Sequence, residues 1–104
     1  MMLNSRRKGA GGEREAAKKL RDGGYPDARR GDSQSRGARE ADVEDTPFWV
    51  EVKRGKRVRL RAAIDQAEHC DHRPPIVVWR DDRSEWRVDL ALDIFLEICD
   101  GKGM

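Results

Sequence analysis

Ala41-Asp42-Val43-Glu44-Asp45-Thr46-Pro47-Phe48-Trp49-Val50-Glu51-Val52-Lys53 is the stretch that decides the fold. Its second half is an apolar run that carries Glu51 and Lys53 two positions apart. In a β-strand, residues i and i+2 point to the same face. Glu51 and Lys53 therefore project together with Trp49 above them, while Phe48, Val50 and Val52 face the other way. A turn at Asp45-Thr46-Pro47 returns the preceding strand alongside and brings Asp42 next to Glu51. Two carboxylates and an ammonium on one sheet face form a site suited to a divalent cation and a phosphodiester.

Outward from this stretch the chain divides into short periodic segments. A helix is predicted over 13–22, with Ala16, Ala17 and Leu20 as its apolar stripe and Gly23-Gly24 as its stop. Residues 25–30 suit a short edge strand because Pro26 is excluded from a central one. The polar loop 31–37 separates it from a second strand over 39–44 and a third over 48–54. Leu60, Ala63, Ile64 and Ala67 recur at helical spacing within a helix predicted over 58–72. Ile76-Val77-Val78-Trp79 reads as a buried strand, 86–90 as another, and 92–99 as a closing helix. The order αβββαβ with a C-terminal helix implies an α/β domain with a mixed central sheet and helices packed against it. Residues 1–9 are expected to be a mobile basic extension and 101–104 a frayed tail, so 1–104 is one domain.

Composition narrows the partners. Charged residues make up 40% of the chain and aromatic residues 6%, which implies a modest core under a heavily charged surface. Residues 1–39 hold eleven Lys/Arg against five Asp/Glu, an excess of six positive charges hidden in a net charge of +2. A second basic block runs Lys53-Arg54-Gly55-Lys56-Arg57 and continues at Arg59 and Arg61. Such patches suit a polyanion, and equally a solvated charged surface. No segment approaches the ~20 apolar residues of a membrane span and no apolar leader is present, so a soluble, cytoplasmic protein is expected. Cys70 and Cys99 lack CxxC spacing and are expected as reduced thiols. His69-Cys70-Asp71-His72 would point in different directions on a helix and does not form a zinc set.

The candidate site has a definite chemistry. Mg2+ prefers oxygen ligands and keeps several waters. Asp42 and Glu51 supply two carboxylates and the Val52 carbonyl a third oxygen. A cation held there acidifies a water for attack on phosphorus, and Lys53 orients that water or neutralises charge on the phosphate. The same three side chains also fit a plain cross-strand ion pair. Glu13 lies three and four residues before Ala16 and Ala17, so it shares their inward stripe and needs a partner there. It points either to the carboxylate cluster or simply to a first helical turn, where acids are common. Gln66, on the flank of the second helix, is a surface residue or a ligand to a water or phosphate. Trp49 either stacks on a base or covers the core.

Taken in order, Arg7-Lys8-Gly9, Glu13-Arg14-Glu15, Leu20-Arg21-Asp22-Gly23-Gly24-Tyr25, Arg29/Arg30, Ser33, Asp42, Glu51-Val52-Lys53 and Gln66 form a pattern. It resembles the PD-(D/E)XK nucleases, and within them the archaeal-type Holliday junction resolvases and their small phage-borne relatives. The resemblance spans about Arg6 to Trp79. It implies a restriction-endonuclease-like core with Glu13, Asp42 and Glu51 as metal-site acids, Lys53 as the catalytic lysine and Gln66 as the helix-two glutamine. Ser33 or Ser35 becomes the loop serine near the scissile phosphate. The DNA contacts implied are Arg7, Lys8, Arg29, Arg30, Ser33, Ser35, Arg54, Lys56 and Arg57. The cofactor implied is Mg2+, with Mn2+ as a substitute. The family cuts two opposed strands of a four-way DNA junction as a homodimer, in recombination and repair. Ala41 stands where the motif has proline, and the chain is shorter than typical archaeal members. A nicking or flap endonuclease of repair or packaging, and an inactive module that binds branched DNA, are the alternatives.

Overall fold

The alternation seen in 48–52 sorts the core into two layers. The computed structural model of the protein describes residues 2–31, 40–68 and 70–100, with the backbone alone for 2–9. The elements are α1 (Met2–Gly23), β1 (Arg29–Arg30), β2 (Val43–Glu44), β3 (Trp49–Gly55), α2 (Leu60–Glu68), β4 (Pro75–Asp81), β5 (Arg87–Asp89) and α3 (Leu92–Cys99). The five strands form one mixed sheet in sequence order, with β3 at its centre. The β3–β4 pair is parallel, in the register Val50↔Ile76 and Val52↔Val78, and α2 makes the crossover. The other pairs are antiparallel. This is an α/β fold.

Phe48, Val50 and Val52 pack with Ala16 and Ala17 of α1, and Tyr25 meets Phe48 edge to face with ring centroids 5.7 Å apart. On the opposite face Trp49 packs with Ala41, Val77 and the Ala63 and Ala67 stripe of α2. The expected alternation in β3 is therefore realised, and it sets which face carries Glu51 and Lys53. Ala at the helix positions lets each helix approach the sheet closely. α1 is further fastened by Glu15, which accepts from Arg54 Nη1 at 2.9 Å and pairs with Arg80 at 3.3 Å.

Several boundaries differ from expectation. α1 begins at Met2, so residues 2–9 continue the helix instead of standing outside it, and Glu13 lies in its interior. Gly9, Gly11 and Gly12 weaken helix propensity by up to ~1 kcal/mol each, which makes the segment read as a break. Gly12 has a packing reason, because a Cβ there would sit 3.2 Å from the Cβ of Arg54. The C-terminus follows expectation: Gly24 has φ 134° and Tyr25 N–H donates to the Leu20 carbonyl at 2.9 Å, a Schellman-type closure.

β1 and β2 are only two residues each, much shorter than the predicted 25–30 and 39–44. Residues 25–28 make a turn closed by Ala28 N–H on the Tyr25 carbonyl at 3.0 Å. α2 stops at Glu68 rather than residue 72. The chain must descend there, because Trp49 N–H donates to the Pro74 carbonyl at 2.9 Å and Arg73 stacks over the Trp49 ring. A helix reaching residue 72 would carry both contacts away. Cys70–His72 thus lie off the helix, His69 lies outside the described residues, and neither Cys70 nor Cys99 is in a disulfide. α3 buries none of its residues and exposes Leu92, Leu96 and Ile98. No helix of the described residues is long and apolar enough to cross a membrane.

Candidate active site

Asp42 sits just before β2, clamped by backbone on both sides. Its N–H donates to the Val50 carbonyl at 2.9 Å, and its carbonyl accepts from Gly31 N–H at 2.9 Å. This crossing is tight enough that a Cβ on Gly31 would run into the Ala41 carbonyl oxygen. The carboxylate itself accepts from Val52 N–H at 2.9 Å. In an extended strand the N–H and C=O of one residue point to the same side. The Val52 carbonyl therefore faces the edge that carries Asp42.

Glu51 is 5% exposed, the one charged residue among the buried positions described. Its carboxylate accepts from Trp49 Nε1 at 3.0 Å. Trp49 is in turn fixed from above by Arg73, whose guanidinium lies 5.0 Å from the ring centroid. Arg73 is held by Glu44 at 2.9 Å and Asp71 at 2.8 Å. Its hydrogen bonds to the Asp71 and Glu44 carboxylates hold the guanidinium in its charged form, well above the usual arginine value. Trp49 is thus a buried support for Glu51, and not a platform for a base. Sequence reasoning did not anticipate Glu44, Asp71 and Arg73, because nothing in their spacing announces that they meet.

Glu13 lies in the interior of α1, where it accepts from Arg30 Nε at 2.6 Å. Its inward placement is as expected and its partner is this arginine. Its negative charge still acts on Asp42. Burial pushes the Asp42 carboxyl up to about 7, with the charges of Glu51 and Glu13 adding to the rise. The Val52 hydrogen bond and the charge of Lys53 work against it. Lys53 is half-buried on the Glu51 face, and no ion pair within 4.0 Å joins it to a described residue. The plain ion pair that the sequence also allowed is therefore not made.

Gln66 is exposed on α2 and lines a groove of about 230 Å³ with Lys53, Arg57, Arg59 and Ala63. Of the other basic candidates, Arg29 pairs with Asp45 at 2.6 Å, Arg30 with Glu13 and Arg54 with Glu15. These three are committed to ion pairs within the fold. Lys56 and Arg57 are exposed. Arg7 and Lys8 are helical in backbone, and Ser33 and Ser35 lie outside the described residues. Arg59 was not singled out as a contact, although the basic run from Lys53 to Arg61 contains it.

No family model matches the chain, and no curated protein or solved structure does. The chemistry of the site rests on its own geometry.

Among the described residues no three His, Cys, Asp or Glu side chains stand together as a ready-made metal cluster. Mg2+ does not need one: it is commonly held by one or two carboxylates, waters and substrate phosphate. Asp42 and Glu51, with the Val52 carbonyl on the same edge, fit that donor set. A carboxyl whose pKa is raised by burial and by neighbouring carboxylates is also a group that a cation would return to its charged form.

Proposed function

We propose that this protein is a metal-dependent, structure-selective DNA endonuclease of the PD-(D/E)XK type, most specifically one that resolves Holliday junctions. The observation that carries the proposal is the Asp42 carboxyl, raised to about 7 by burial and by the charges of Glu51 and Glu13, with Lys53 making no ion pair within 4.0 Å of a described residue. A buried carboxyl beside a second carboxylate, with no ion pair of its own among the described residues, is costly in a fold. Such a cost is expected where a site is shaped for a cation.

Asp42, Glu51 and the Val52 carbonyl would hold Mg2+ or Mn2+. When bound, that cation supplies a Lewis acid for the phosphate and an acidified water. The remaining work belongs to the chain. Trp49 holds Glu51 in one orientation through its indole N–H, and Val52 N–H does the same for Asp42. Lys53 neutralises charge that builds on the phosphate, as a preorganised cation in a partly desolvated site. Glu13 adds negative potential while Arg30 restrains it. Gln66 offers an amide to the phosphate from the helix side.

Paired cuts in a junction require two sites, so this reading includes a homodimer. The exposed Leu92, Leu96 and Ile98 of α3 give a second copy an apolar surface to cover. The test is a panel of labelled substrates with Mg2+: four-way junction, flap and plain duplex. Symmetric paired cuts in the junction alone support the resolvase. Equal cutting of all three retains the nuclease and removes the resolvase. Binding of the junction without cutting on any substrate points to an inactive binding module.

A further inference from the structure

The groove between the end of β3 and α2 is cationic and has no acidic lining. Lys53, Arg54, Arg57 and Arg59 line it together with Val58, Ala62 and Ala63. The acids around it are already engaged: Asp81 accepts from Val58 N–H at 2.8 Å, Asp65 pairs with Arg61, and Glu15 and Asp82 pair with Arg54, which also lines the groove. Most described arginines are matched in this way, including Arg29, Arg30, Arg73 and Arg80. Among the described residues, by contrast, Lys53, Arg57 and Arg59 make no ion pair within 4.0 Å. α2 also begins beside the groove with no acidic residue in its first turn, so the positive end of the helix adds to the field. Cations without an acidic partner among the described residues, lining a groove with no acidic lining, are complementary to an anion. Lys53 lines the groove and its charge also acts on Asp42, so it links the groove to the acidic site.

We infer that two consecutive phosphates of one DNA strand are held here, one at Lys53 and the next in the groove by Arg57 and Arg59. This rests on DNA being the substrate of the proposed site, and it adds the path of the strand. The groove fixes which bond is presented to Asp42 and Glu51, by gripping the phosphate beside it. Arg57 and Arg59 are positioning residues in this scheme.

The test uses the full chain in EDTA, so that binding is read without cutting. Affinity for a labelled DNA four-way junction is followed over a salt series for the wild type, Arg57→Ala, Arg59→Ala and Arg61→Ala. Arg61, in the first turn of α2, carries the same charge as Arg57 and Arg59 but lies outside the groove and pairs with Asp65. Each groove variant is expected to reduce the slope of log K against log salt by about 1, the loss of one phosphate contact, while Arg61→Ala leaves it unchanged. Neutral methylphosphonate linkages are then placed one at a time along a strand. One position should weaken wild-type binding severalfold and leave Arg59→Ala unaffected. The adjacent position should behave so with Lys53→Ala.

Equal slopes for Arg59→Ala and Arg61→Ala overturn the inference, as does the lack of an adjacent pair of coupled positions. Displacement of the junction by inorganic phosphate as strongly as by unlabelled DNA would assign the groove to a free anion. Tighter binding of the matching RNA junction would remove DNA as the occupant. A coupled pair found in a protein that never cuts keeps the strand path and discards the nuclease. Cutting without coupling does the reverse.

Discussion

Asp42 is held near neutrality by burial beside Glu51 and Glu13, so in the metal-free protein its proton leaves only as pH approaches about 7. The ordinary value for the unfolded chain is 3.8. Between about pH 4 and pH 7 the unfolded chain has released this proton and the folded one has not. The contribution of Asp42 to stability therefore falls as pH rises across that window and is lost above it. Asp42→Asn should melt several degrees above the wild type when pH exceeds 7, and near it below about pH 4. Added Mg2+ should raise the wild-type melting temperature above pH 7 by binding the folded state, and leave Asp42→Asn unmoved. A thermal melt series in pH and Mg2+ checks all three. A wild type whose melting temperature ignores Mg2+ would deny the cation site. Glu51 is oriented by the hydrogen bond it accepts from the Trp49 indole N–H. Trp49→Phe keeps the ring but loses the indole donor, which should cost about 1 kcal/mol of stability and about 10- to 100-fold in cleavage rate. Equal cleavage by the two proteins would mean that Glu51 needs no such support.

At the scale of elements, the strand that holds Glu51 and Lys53 was readable because its alternation is strong and both of its faces are buried. The sharing of a face by Trp49, Glu51 and Lys53 follows from that alternation alone. The edge strands were harder. β1 and β2 are two residues each, and their place depends on Gly31 passing close beneath Ala41, a contact that no local pattern encodes. Gly31→Ala would force the two segments apart and with them Asp42. Overpacking of this kind costs about 1–3 kcal/mol, and in a domain of this size each kcal/mol lowers the melting temperature by roughly 4–8 °C. Calorimetry on Gly31→Ala checks this, and an unshifted transition would show that the crossing yields without strain. The early start of α1 and the early stop of α2 were hidden for a related reason. Glycines that look like a break serve close packing on Arg54, and a helix that could continue is ended by the contacts of Arg73 and Pro74 with Trp49. Tertiary contacts outweigh local propensity in each case.

For the whole molecule, the charge that looked like one basic surface divides into two populations. Arg29, Arg30, Arg54, Arg73 and Arg80 are matched by acids and hold the fold together. Lys53, Arg57 and Arg59 make no ion pair with a described residue and line one groove. Sequence counts could not separate them, because the partners are distant in the chain. The apolar residues divide similarly: the sheet faces are covered by α1 and α2, while α3 leaves Leu92, Leu96 and Ile98 exposed. Under the resolvase reading this surface is covered by a second copy. Leu96→Glu should then convert a dimer to a monomer in analytical ultracentrifugation and turn paired junction cuts into single nicks. A wild type that sediments as a monomer at working concentration, and still makes paired cuts, would contradict that assembly.

The most direct measurement is cleavage of a labelled four-way DNA junction by the wild type with Mg2+, by the wild type with EDTA, and by Asp42→Asn with Mg2+. The account predicts cutting in the first reaction alone, with Asp42→Asn still binding the junction at least as tightly as the wild type. Cutting by Asp42→Asn at the wild-type rate, or cutting that persists in EDTA, would contradict a cation site built on Asp42 and Glu51.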